Sequence, residues 1–100
     1  MQSYKETVVF QFELEEELDR HNIDYDGDVI AVLFDEDSLP CDRMNCAIKI
    51  ELFISKDEES ELEWLKENDP DEYEEFNRKL TIIRFLCQTF PEDKWIWIEM

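Results

Sequence analysis

The sequence predicts an α+β domain in which an antiparallel four-stranded sheet carries helices on one face. Three observations point there. Residues 69–90 hold a long amphipathic pattern with helix start and stop signals at its ends. Three other stretches alternate in hydropathy and a fourth is a short unbroken apolar run, which is how strands read. With 43% apolar residues, 100 residues suffice for one core, so residues 1–100 form a single domain.

Residues 7–14 read Thr-Val-Val-Phe-Gln-Phe-Glu-Leu. Val8, Phe10, Phe12 and Leu14 alternate with Val9, Gln11 and Glu13, the period of a half-buried strand. Residues 14–22 continue as a short helix with Leu14 and Leu18 on one side and Glu15, Glu16, Glu17 and Asp19 outward. Such a helix is too short to persist alone and needs the core. Asn22 to Asp28, with the single glycine Gly27, is a loop. Val29 to Phe34 is a continuous apolar run and reads as a strand covered on both faces. Residues 35–45, with Ser38 and Pro40, form a turn longer than a tight hairpin. In residues 46–55, Cys46, Ile48, Ile50, Leu52 and Ile54 face one way and Ala47, Lys49, Glu51 and Phe53 the other.

Ser55 or Asp57 caps a helix carrying Leu62, Trp64 and Leu65, which breaks at Asn68-Asp69-Pro70. The long helix starts there: Asp69 is its N-cap, Pro70 its first residue, and Asp71 and Glu72 meet the positive end of its dipole. Tyr73, Phe76, Leu80, Ile83, Cys87 and Phe90 follow at alternating steps of three and four, which makes one stripe. Ile82, Phe85 and Leu86 widen it, and Pro91 ends it. Residues 94–100 alternate again, with Ile96 and Ile98 on one side and Trp95 and Trp97 on the other. The order strand, short helix, strand, strand, helix pair, strand is that of a ferredoxin-like βαββαβ sandwich. The alternative is a β-meander followed by two helices and a last strand, if residues 14–22 are not helical.

The charge is extreme: 28 acids against 10 bases give −18. With a screening length of about 8 Å at physiological salt, charges on one small surface still repel, which opposes folding and favours fast encounter with basic partners. Direct binding to nucleic acid or to an anionic membrane is disfavoured for the same reason. Residues 13–37 hold eleven acids and one base, Arg20, and residues 57–75 hold eleven acids and one base, Lys66. Glu59, Glu63 and Glu67 recur every fourth residue, so they line one helix face at intervals of about 6 Å. That interval is comparable to the phosphate spacing of a nucleic-acid strand. A solvated helix face is the plainer account of the same row.

Other chemistry is weakly marked. Asp24-x-Asp26-Gly27-Asp28 has the opening of a calcium loop with Asp35 as twelfth residue, but the sixth position is Val29 where such a loop needs glycine. Cys41, Cys46, Cys87 and His21 could be assembled into a zinc site only at unusual spacing, and unrelated thiols are the better reading. Three cysteines without a signal peptide indicate a reducing cytoplasm. One histidine and one glycine leave no nucleophile–base pair or phosphate loop, so neither an enzyme nor a cofactor is expected. If Ile96 and Ile98 face the helices, Trp95 and Trp97 lie on the open sheet face near Val9 and Gln11, where exposed aromatics mark an interface with a partner or with a second copy as a homodimer. The alternative is that a loop covers them or that they belong to the core.

Two functions are expected from these features. The first is an acidic inhibitor that occupies the basic nucleic-acid-binding site of a DNA- or RNA-processing enzyme. In it Glu59, Glu63, Glu67, Asp71, Glu72 and Glu75 stand in for phosphates, with Glu15, Glu16 and Asp19 as a second row. In charge and size the chain resembles the small acidic proteins that viruses use against host restriction, CRISPR or repair systems, though it carries no family motif. Its location would then be the host cytoplasm. The second is a small interaction module, such as a toxin-immunity protein or a regulatory subunit, that binds through Trp95 and Trp97. A third reading, an acidic protein of a saline habitat, gives the charge no partner.

Overall fold

A computed structural model describes residues 7–34 and 47–99. The elements run β1 (Thr7–Phe10), α1 (Gln11–Arg20), α2 (Val29–Leu33), β2 (Ala47–Glu51), α3 (Lys56–Asn68), α4 (Pro70–Thr89) and β3 (Trp95–Glu99). The three strands form one mixed sheet in the order β1-β3-β2, with β3 parallel to β1 and antiparallel to β2. The α+β class therefore holds, while the antiparallel four-stranded ferredoxin-like sheet does not. The meander alternative fails as well, because β1 pairs with β3, and α1 is helical.

The missing strand is residues 29–34, whose apolar run folds as the short helix α2. The cause lies just ahead of it. One carboxylate oxygen of Asp28 accepts the amides of Ile30 and Ala31 at 3.0 and 3.4 Å, and Glu15 on α1 accepts the Val29 amide at 3.1 Å. Three N–H groups that a helix start would leave orphaned are thus satisfied. Val29, Ile30 and Leu33 are buried against α1 and α4, as a helix so anchored allows. The turn before it needs left-handed backbone: Asp26 has φ 53° and Gly27 φ 80°, and the Asp28 amide closes on the Tyr25 carbonyl at 3.2 Å. Positive φ at both central residues is the mirror-image turn that Asp-Gly favours.

A second correction concerns residues 7–14. The strand stops at Phe10, and α1 starts at Gln11 rather than Leu14. Val9 turns toward the core, and Val8 and Phe10 turn away from it. Phe12, read as a strand residue, is an exposed helical one.

The other elements form within the stretches the pattern marked, although β2 ends at Glu51 rather than running to residue 55. Ser55 caps α3 with a reciprocal box: the Glu58 amide donates to Ser55 Oγ and the Ser55 amide to Glu58 Oε1, both at 3.1 Å. Asp69 then serves two helices at once. Its amide donates to the Leu65 carbonyl at 2.8 Å to end α3, and its side chain accepts the Glu72 amide at 3.3 Å to start α4. A single residue is therefore the whole connection of the hairpin.

One core joins the layers. Ile48, Ile50, Ile96 and Ile98 on the inner sheet face meet Leu14 and Leu18 of α1 and Leu80, Ile82, Ile83 and Leu86 of α4. Burying each such side chain is worth about 1.5–3 kcal/mol. α3 packs on α4 through Leu62 and Leu65, at the margin of this core. Among the described residues no helix is long and apolar enough to cross a membrane.

Candidate functional site

The acidic residues are distributed unequally over α3 and α4. Glu59, Glu63 and Glu67 are exposed along one flank of α3 and make no ion pair among the described residues. Glu61 lies two residues from both Glu59 and Glu63, so at about 100° per residue it points to the opposite flank. There it shares a cleft with Glu72 and Glu75 of α4 and with Asp26 and Asp28. The structure thus separates the expected row into two groups. The line of Glu59, Glu63 and Glu67 shares its flank with Lys56 and Lys66, three residues from Glu59 and Glu63, but closes no ion pair among the described residues; Glu72 and Glu75 share their cleft with Arg78 and Lys79. Asp71 is exposed in the first turn of α4.

The acids of α1 have other partners. Glu15 is half-buried and anchors α2, receiving the Val29 amide and the Gln11 side-chain amide at 3.1 and 3.3 Å. Asp19 accepts the Tyr25 hydroxyl at 3.1 Å. Loss of water contact and then this hydrogen bond push the Tyr25 phenol above its usual range. Glu17 pairs with Arg20 at 2.7 Å. Of the expected second row, only Glu16 is exposed without such a contact.

The aspartates of the 24–28 loop are similarly engaged. Asp24 accepts the Asp26 amide at 3.0 Å and Arg78 Nε at 2.9 Å, and these hold its carboxyl below the usual range, the amide contributing most. Asp28 caps α2 and also accepts Gln11 Nε2 at 3.0 Å. Among the described residues no group of three His, Cys, Asp or Glu side chains is placed to hold a metal ion. Asp35, Cys41 and Cys46, together with the whole turn 35–45, lie outside the described residues. Cys87 is half-buried on α4, and burial pushes its thiol pKa up.

The open sheet face is the second surface. Ile96 and Ile98 are fully buried, so Trp95 and Trp97 face away from the helices, both half-exposed. Their neighbours differ from those expected. Trp97 sits between Val8 on β1 and Lys49 on β2, not beside Val9 and Gln11. Lys49 Nζ lies 4.1 Å from the centre of the Trp95 ring, a cation–π contact. Around the indoles, Val8 is 53% exposed, Phe10 44%, Phe12 61% and Phe53 69%. Phe10 and Phe12 stack at 6.0 Å. Lys49, Glu51 and Phe53 already share a phase in the strand pattern, so Phe53 was legible as part of this face. Phe10 and Phe12 were not, because their strand ends earlier and faces the other way.

Comparison with protein-family models, with curated proteins and with solved structures finds no match to this chain.

Proposed function

We propose that this protein is an acidic inhibitor that occupies the basic nucleic-acid-binding site of a DNA- or RNA-processing enzyme, with carboxylates in place of phosphates. The observation that carries the reading is the line of Glu59, Glu63 and Glu67, exposed, evenly spaced and without an ion pair among the described residues, in a chain of net charge −18. Like charges four apart cost a helix a few tenths of a kcal/mol per pair, and a basic partner offsets that cost. Asp71 and Glu16 extend the negative surface, while Glu15 and Asp19 serve the fold. On this reading the chain is a binding protein rather than an enzyme, of anti-restriction or anti-CRISPR type, and works in the cytoplasm, that of a host cell if it is viral. Capture of partners at low salt followed by a salt gradient tests it. A nucleic-acid enzyme should elute at moderate salt and should compete for its DNA or RNA. Reversing Glu59, Glu63 and Glu67 to Lys should slow association by about tenfold or more. A partner retained at high salt, and equally by the triple variant, would exclude mimicry.

A second reading has its own support in the open sheet face. Four exposed apolar side chains beside two half-exposed tryptophans suit a protein interface of an immunity protein, a regulatory subunit or a homodimer. Replacing Trp95 and Trp97 by Ala should then abolish binding that the acidic variants leave intact.

A further inference from the structure

A cleft of about 610 Å³ runs along the outer edge of β1, between α1 and the last turn of α4. Its floor is largely apolar, formed by Val9, Leu14, Phe85 and Phe90, with the His21 ring lying against Phe85 at 4.9 Å between ring centres. Its rim is acidic, formed by Glu13, Glu16 and Glu17. Arg20 engages Glu17, but Glu13 and Glu16 are exposed and make no ion pair among the described residues. A second source of negative potential converges here. α4 is 20 residues long, ends at this cleft, and has no basic residue in its last turn. The carbonyls at such an end carry roughly half a negative charge.

Each feature alone is unselective: acids attract any cation, and an apolar floor accepts any apolar group. Together they select a cationic head on an apolar body, which is what an arginine or lysine side chain beside an apolar neighbour presents. The volume suits one or two large side chains, within the roughly 300–1,000 Å³ of small-ligand pockets. We propose that this cleft receives an arginine- or lysine-bearing amphipathic segment of a basic partner protein, with the cation between Glu13 and Glu16 and the apolar part against Phe85 and Phe90. The inference rests on the reading that the partner is basic. It adds a contact that selects by shape, on elements other than the one carrying the Glu59–Glu63–Glu67 line.

An NMR titration with three short synthetic peptides of equal length tests it: alternating arginine and leucine, alternating arginine and serine, and alternating glutamate and leucine. The arginine–leucine peptide should shift the amides of Val9, Leu14 and Phe85. It should bind about tenfold tighter than the arginine–serine peptide, and the glutamate–leucine peptide should not bind. A Glu13→Gln, Glu16→Gln variant should lose most of that affinity while its spectrum elsewhere stays folded. Equal binding of the two arginine peptides, or shifts confined to the Glu59–Glu67 flank, would overturn the proposal. The same double variant separates this failure from that of the broader reading. If the captured partner ignores it but is lost on charge reversal of Glu59, Glu63 and Glu67, the cleft is not used and mimicry stands. If the partner ignores both, the premise of a charge-directed partner falls.

Discussion

The outer flank of α3 and the open face of the sheet are both exposed, and they are chemical opposites. The first is a row of glutamates that makes no ion pair among the described residues; the second is a patch of Trp, Phe and Val with Lys49 and Glu51 set into it. The charged flank sits on an element at the margin of the core, where Leu62 packs against the central cluster and Leu65 is buried. The aromatic face is the reverse side of residues that are themselves the core, since every outward Trp alternates with a buried Ile. Charge has accumulated where burial is least demanded, and apolar surface where the strand period leaves the second face uncovered. Because the two surfaces are on different elements, either can be altered with little direct effect on the other.

The largest expected effect asks whether they share one folding unit. Leu86 is fully buried between α4 and the sheet, and Leu86→Ala should cost about 2–5 kcal/mol in urea denaturation. Helix circular dichroism and the fluorescence of Trp95 and Trp97, in a Trp64→Phe background, should lose structure at the same midpoint. Separate midpoints would make the hairpin and the sheet independent units. Next comes the charged side. Ser55→Ala removes the cap of α3 and should cost about 1 kcal/mol, leaving the tryptophan environment unchanged. On the aromatic side, Lys49→Met removes the cation above Trp95 and should cost about 0.5–1 kcal/mol, with a shift in indole fluorescence.

The smallest effect sits at Asp24, beside the acidic cleft. Its carboxyl is held below the ordinary 3.8 chiefly by the Asp26 amide and then by Arg78. A depressed carboxyl contributes stability that is present above the unfolded pKa and is lost as pH falls through the folded value. A carboxyl titration by NMR should place the Asp24 midpoint below 3.8, and Arg78→Ala should raise it without restoring it fully, because the amide remains. A midpoint unchanged by Arg78→Ala would remove the guanidinium from the account.

Much of the fold was legible because periodicity and caps agreed. In α4, Asp69, Pro70 and the three–four spacing all gave the same start and the same buried side. In β2 and β3 the alternation grouped Ile48 with Ile50 and Ile96 with Ile98 on one side of their strands, left open which side faced the core for residues 95–98, and the structure buries all four. Residues 29–34 were misread because a run of six apolar residues has no period to display, even though the helix it forms leaves Ala31 exposed. The signal that would have corrected it is Asp28, a helix cap directly before the run. The β1 boundary was missed because Phe12 and Leu14 extend the alternation past the true end of the strand. At the candidate site, the spacing of Glu59, Glu63 and Glu67 was readable from one helix. The roles of Glu15 and Asp19 were not, since both depend on contacts with residues 25–29 that no local pattern specifies. The glutamate-rimmed cleft joins three elements and has no linear signature.

The pairing of β1 with β3 has a consequence for biosynthesis. β3 is the central strand, and nearly all the described chain separates it from the parallel neighbour it must join. While residues 95–99 are still inside the ribosome, neither β1 nor β2 can pair with β3, and the faces of α1 and α4 that will meet Ile96 and Ile98 remain wet. Closing so long a span before it is rewarded makes for slow acquisition of structure. In that interval the nascent polypeptide shows its apolar segments to the cell, and the mutual repulsion of its many carboxylates becomes the means of keeping neighbouring chains apart.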